Sequence, residues 1–274
     1  MHIEEVIYTM QKKSPSRYFI KSIHKALDVL EVLASEVKGL SLTEIGKKLN
    51  MELSTAHRIL STLKHRGYIE QSSAKGRYRL GLKTLEIGLA MQAQLQLLER
   101  ALPCLQKLAD VTKETVNLAI LDPDCDEVIY IAKIDSPEVL KTDIKIGTKL
   151  LAHCTALGKV LLAFLPEEEF DRRFSNRDHL PAYTPNSLST LEGLKETLAK
   201  VRKQNFAIDN EEFKIGVKCI AAPIRDSTGK VVAAVSIAGP TSRLSSERID
   251  EFKKLVVDTA NEISVKLGFN AFQK

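Results

Sequence analysis

The sequence lacks any paired cysteine motif: Cys104, Cys125, Cys154 and Cys219 lie far apart, with no C-x-x-C spacing among them. This argues against a zinc ribbon or a disulfide framework and reads as four reduced thiols of a cytoplasmic protein. No apolar run approaches the roughly 20 residues that cross a bilayer. The opening stretch MHIEEVIYTMQKK carries acids early and no apolar signal region, which argues against secretion and against a membrane partner. Aromatic residues are scarce at 5%. What remains is the composition of a globular protein, 274 residues long, 44% hydrophobic and 27% charged, with enough chain for two domains.

The most informative stretch is Ser41 to Gly81, SLTEIGKKLNMELSTAHRILSTLKHRGYIEQSSAKGRYRLG. Ser41 and Glu44 make an S-x-x-E capping box, so a helix begins there, with Leu42, Ile45 and Leu49 as its apolar set. Asn50-Met51-Glu52 turns the chain, and Ser54 is placed to cap a second helix on Ala56, Ile59, Leu60 and Leu63. The other face of that helix carries Thr55, His57, Arg58, Thr62 and Lys64, side chains that donate to phosphates and base edges. Gly67 ends the helix. Tyr68–Glu70 and Arg77–Leu80 then read as short strands of a basic hairpin bearing Lys75, Arg77 and Arg79, suited to a DNA backbone. Upstream, Ile23, Leu27, Leu30, Ala34 and Val37 predict the seam of a covering helix. Together these elements spell a winged helix-turn-helix over residues 21–81.

Charge follows the same division. Residues 1–80 hold 14 basic against 8 acidic side chains, a balance of +6, whereas the whole chain carries +5. The positive excess sits entirely in the first third, where a polyanion is met. Residues 1–20 are polar and aperiodic and read as a mobile arm.

Residues 82–98 predict a linker helix whose Leu85, Leu89 and Leu95 pair either with another copy or with the chain's own second domain. From residue 99 the pattern predicts strands at Thr115–Leu121, Glu127–Ile134 and Leu140–Ile146, helices near Leu157–Phe164, Pro166–Phe174 and Leu191–Asn205, strands at Val217–Arg225 and Val231–Ala238, and a helix from Ser245 to Leu267. Paired strands with helices gathered between them indicate an α+β domain with an antiparallel sheet.

The succession KSIHKALDVLEVL, GLSLTEIGKKLNMELSTAHRILSTLKHRGYIE, YRLG, HCTALGKVLLAFLP and IDNEEFKIGVKCIAAPIRDSTGKVVAAVSIAGPTSRL resembles the isocitrate lyase regulator (IclR) family of bacterial transcription factors over about residues 20–268. The resemblance implies a DNA-reading head for a double-stranded operator, a linker helix, and a GAF-like C-terminal domain that takes a small-molecule effector in dimers or dimers of dimers. It places the effector pocket at Leu151, Thr155, Ala156, Leu157, Asp209, Cys219, Ser236 and Ala238. Many members have two small residues where this chain has Ala156 and Leu157, and a serine or threonine in place of Ala238; the leucine shrinks the pocket, and the alanine removes a donor.

Other readings of these residues stand beside that one. Cys219 among Val217, Ile220 and Ala221 suits a buried small hydrophobe. The stretch Asn210-Glu211-Glu212 suits a solvated acidic cluster, and Thr155 a helix cap. His153 beside Cys154 has too few partners nearby for a metal, and no cofactor is indicated. Cys219, His153 and Asp209 also fit the thiol, base and orienter of an acyl-transfer enzyme, although no strained nucleophile turn surrounds Cys219. A ligand-free architectural DNA-binding protein is the third alternative.

Overall fold

The computed structural model describes residues 20–36, 38–72, 76–94, 96–175, 177 and 179–270, with the chain divided into compact units at residues 94 and 95. The arm expected over residues 1–20 lies outside the described residues apart from Ile20, and Val37 and Lys75 lie outside them as well.

The first unit runs α1 (Lys21–Ala34), α2 (Leu42–Lys48), α3 (Leu53–His65), β1 (Ile69–Gln71), β2 (Tyr78–Leu80) and α4 (Leu82–Gln94). The capping box forms as the spacing requires: the Glu44 amide donates to Ser41 Oγ at 3.3 Å, and the Ser41 amide donates to Glu44 Oε2 at 2.7 Å. Ile45, Ala56, Leu60 and Leu63 close the core between α2 and α3, with Ile69 and Tyr78 of the hairpin beneath them. The strands pair antiparallel with Glu70 opposite Arg79, and Leu40 adds a bridge to Tyr78. Each strand starts one residue later than the pattern suggested.

Two local expectations are overturned in this unit. Helix α3 begins at Leu53 after Glu52, with no side-chain cap, so Ser54 sits inside the first turn and does not cap it. The cause is the left-handed turn at Asn50 (φ 47°), which redirects the chain early enough for Glu52 to take the N-cap position. Helix α1 is apolar on more than one side, and its buried residues are Val29, Val32 and Leu33, whereas Ile23 and Leu27 of the expected seam stay half exposed at 55% and 50%. A helix with two apolar stripes buries the one that meets α3.

The second unit opens with α5 (Gln96–Thr112), so the expected linker of residues 82–98 is shorter: α4 ends at Gln94, and Leu97 and Leu98 already belong to the second core. Strands β3 (Thr115–Leu121), β4 (Glu127–Ile134), β5 (Lys149–Leu151), β6 (Ala207–Asn210), β7 (Val217–Arg225) and β8 (Val231–Pro240) form one antiparallel sheet in the order β5-β4-β3-β8-β7-β6. The predicted strand at Leu140–Ile146 does not form. That stretch crosses as a loop to the left-handed Gly147 (φ 86°), and β5 takes the edge of β4 instead. Strand β6, too short to show a period, was not anticipated.

Alternation along the strands separates two faces. Val116, Leu118, Ile220, Val235 and Ile237 point toward α5 and α9 (Ile249–Lys266). Ala119, Ala221 and Ala234 face α6 (Ala156–Ala163), behind which stands α8 (Leu191–Gln204); α7 (Glu167–Phe174) packs Phe170 and Phe174 into the same layer. Small residues on this face let α6 come close to the sheet.

Where α6 begins, it also sits tight against the turn that precedes it, Ala152–Cys154. Thr155 caps the helix, accepting from the Gly158 amide at 3.0 Å, and a β-carbon at Gly158 would overlap the carbonyl oxygen and Cα of Ala152. Backbone on both sides leaves nothing to yield. Gly158→Ala is therefore expected to lower the unfolding free energy by about 3 kcal/mol, the upper end of overpacking costs. Chemical denaturation of the full chain followed by circular dichroism measures it, and a stability unchanged from the parent contradicts the close approach.

Candidate functional site

The residues expected to meet DNA lie on α3 and on the hairpin. Ser54, His57, Arg58, Thr62 and Lys64 stand on the exposed side of α3, and Thr55 is half-buried. Leu53, which the helical pattern did not single out, is also exposed on the first turn. Thr62 donates its hydroxyl to the Arg58 carbonyl at 3.0 Å, and Lys64 donates to Gln71 Oε1 at 3.0 Å.

On the hairpin both arginines are exposed, Arg79 opposite Glu70 and Arg77 engaged with groups of the first unit. Arg77 Nε donates to the Gly39 carbonyl at 2.8 Å and Nη2 to Glu44 Oε1 at 2.9 Å. The Ser41 amide and hydroxyl, with Arg77 after them, hold the Glu44 carboxyl down to about 2. Arg77 thus braces the wing against the cap of α2. Spacing shows that an arginine lies on a hairpin, but not which of its neighbours will satisfy it.

In the second unit the sheet face under α6 encloses a small cavity of about 30 Å³. Seven of the eight residues expected there, Thr155, Ala156, Leu157, Asp209, Cys219, Ser236 and Ala238, line it. The ladder explains the convergence: Asp209 pairs with Cys219, Cys219 with Ala238, and Ser236 with Asn117, so side chains from β6, β7, β8 and β3 project from neighbouring rungs. The eighth, Leu151, does not line it; it sits half-buried on β5 at the sheet edge, paired with Glu127. Asn117, Tyr130, Thr142, Ile144, Phe213 and Val217 complete the wall. Asn117 and Tyr130 carry a legible signal, a single polar side chain in the middle of an apolar strand; Thr142 and Ile144 arrive on a loop and carry none.

Burial governs the chemistry of this wall. It raises the Asp209 carboxyl to about 6 even though Oδ1 accepts from the Glu212 amide at 2.7 Å, and it pushes the Cys219 thiol and the Tyr130 phenol up. Glu212, expected in a solvated acidic cluster, is buried and ion-paired with Lys159, whose ammonium also donates to the Ile208 carbonyl at 2.6 Å. Asn117 Oδ1 and Thr142 Oγ1 are enclosed without a hydrogen-bond partner. At the start of α6 the amides of Ala156 and Leu157 have no intrahelical acceptor, as at any helix N-terminus.

The arrangement does not assemble a thiol nucleophile. His153 Nε2 faces the Pro181 carbonyl at 2.8 Å, its Nδ1 has no partner, and burial lowers its basicity, so the imidazole is spent away from Cys219, whose thiol meets the Asp209 carboxyl. Among the described residues no cluster of three metal-ligating side chains occurs, and no helix is long and apolar enough to cross a membrane.

Comparison with known proteins agrees with both units. Residues 22–73 match the IclR helix-turn-helix domain, and residues 90–265 match the bacterial transcriptional regulator IclR C-terminal domain. The HTH-type transcriptional regulator BhcR of Paracoccus denitrificans is 36% identical over 89% of this chain and 86% of its own length. The crystal structure of the Thermotoga maritima IclR superposes with a TM-score of 0.75 at 33% identity, over 92% of this chain and 100% of that one. An IclR homologue from Microbacterium hydrocarbonoxydans, complexed with 4-hydroxybenzoate, shares the fold at a TM-score of 0.80 and 24% identity, covering 90% of this chain and 98% of its own. A winged DNA-reading head, an antiparallel effector-domain sheet and relatives that are regulators rather than enzymes lead to one assignment: this chain belongs to the IclR family of bacterial transcriptional regulators.

Proposed function

We propose that the chain binds an operator through Ser54, His57, Arg58 and the wing, and that a small organic acid held in the C-terminal cavity sets the affinity. The observation that carries the reading is the convergence of seven residues from distant segments around one enclosed space in which two buried oxygens, Asn117 Oδ1 and Thr142 Oγ1, lack partners. The first-turn amides of α6 supply the anion site. The Microbacterium homologue holds a carboxylate; here the space of about 30 Å³ suits a far smaller acid unless the loop bearing Thr142 and Ile144 yields. By linkage, whatever free energy the acid adds to or takes from DNA binding, DNA returns to the acid.

Self-association belongs to the same reading. Ile23 and Leu27 on α1, with Leu82 and Leu85 on α4, leave large apolar side chains half exposed or more, whereas the side chains of Leu89 and Leu95 lie outside those described. A two-fold dimer covers such surfaces and reads a near-palindromic operator.

Three measurements test these proposals once an operator has been selected from a random DNA pool and effectors have been screened on the complex. Arg58→Ala should weaken specific binding by roughly 1–3 kcal/mol, whereas Arg79→Ala should reduce the salt slope by about one on every sequence and Arg77→Ala should leave that slope unchanged. Equal slopes for the two wing variants would remove the distinction between contact and brace. Cys219→Leu should abolish the response to the acid while operator binding and thermal stability persist; a stable variant that still responds puts the effector elsewhere. Sedimentation equilibrium of the full chain should show at least a dimer at micromolar concentration, and a monomer there would leave the apolar surfaces without their proposed partner.

A further inference from the structure

The cavity wall gathers a carboxyl, an amide oxygen, a thiol and hydroxyls, but among the described residues that line it there is no lysine, arginine or histidine. The nearest ammonium, Lys159, is committed to Glu212 and the Ile208 carbonyl. An anion drawn to the first-turn amides of α6 therefore shares a space of about 30 Å³ with Asp209 and meets no counter-charge. Two negative charges at such range do not both persist. Asn117, which is 2% exposed, meanwhile offers Oδ1 without a donor.

We propose that the effector is a small hydroxycarboxylate and that it binds together with one proton, carried on Asp209. The ligand carboxylate accepts from the Ala156 and Leu157 amides and from the protonated Asp209, and its hydroxyl donates to Asn117 Oδ1. This deepens the effector reading above and rests on it. The proton comes from solvent and stays on the Asp209 oxygen; no covalent bond to the ligand forms.

The neighbours of Asp209 leave it as the group that titrates. Cys219 from β7, Tyr130 from β4 and Cys154 from the turn before α6 are all pushed up by burial and stay neutral between pH 5 and 8. His153 on the same turn is held below its usual value by burial. Lys159 from α6 and Glu212 from the turn after β6 balance each other. With Asp209 raised to about 6, the empty cavity already holds the proton below that pH and must capture it above. Affinity for an acid should then fall tenfold per pH unit above 6, about 100-fold by pH 8, while a neutral ligand of the same shape is indifferent to pH.

Isothermal titration of the full chain with glycolate and with lactate tests this at pH 5.5 and 8.0, each in two buffers of different ionisation enthalpy, with lactamide as the neutral probe. The expected result is uptake of close to one proton per acid at pH 8.0, little at pH 5.5, and about 100-fold weaker binding at the higher pH. Asp209→Asn keeps an oxygen for the Glu212 amide and should bind lactate without proton uptake and with one affinity at both values, thermal unfolding confirming that it is folded. Binding by the unaltered chain that takes up no proton at pH 8.0 overturns the proposal. Failure of both acids at pH 5.5, or tighter binding of lactamide there, overturns the ligand class, and the effector response lost in Cys219→Leu stands or falls separately.

Discussion

A lysine ammonium buried against a sheet needs a counter-charge, and Lys159 finds it in Glu212. Desolvating the pair is costly, but removing either partner would leave a lone buried charge at a cost of about 3–5 kcal/mol. The contact ties α6 to the turn after β6, so the two sides of the cavity, Thr155 to Leu157 and Asp209 to Phe213, cannot drift apart independently. Thr184 and Ser187, on the loop before α8, hold the same turn by donating to the carbonyls of Glu211 and Glu212, both at 2.6 Å. The cavity is in this sense a by-product of where one ammonium had to be neutralised.

The wall of the cavity also depends on a second buried ion pair. Glu114, 2% exposed, receives Arg243 in a two-pronged contact of 2.6 and 2.7 Å, and Arg243 Nη2 donates onward to the Leu140 carbonyl at 2.8 Å. That carbonyl lies on the loop that brings Thr142 and Ile144 over the cavity. A loop with Val139 and Leu140 exposed has little apolar burial to hold it, so its hydrogen bonds to rigid elements decide its position. The same economy appears in the first unit, where Arg77 and Glu44 fix the wing to the cap of α2. Exposed ion pairs of this kind contribute little to stability, but they orient the elements that carry them.

Much of this protein is determined by sequence alone. The S-x-x-E box, the period of Ala56, Leu60 and Leu63 and the alternation of β7 and β8 are set by short-range physics, in which helix and strand bury one face and a cap satisfies its own amides. Family resemblance carried seven of the eight residues around the cavity to their places. Only the tertiary structure decided the rest. Leu151 fell at the sheet edge because pairing with Glu127 places it there; Leu140–Ile146 stayed a loop because β5 took the edge of β4; α1 turned its other stripe inward to meet α3; and Arg77, Lys159 and Glu212 acquired partners between 33 and 53 residues away in the chain. A charged side chain's partner is chosen by which groups the packed fold brings within reach, and distance along the chain does not encode that.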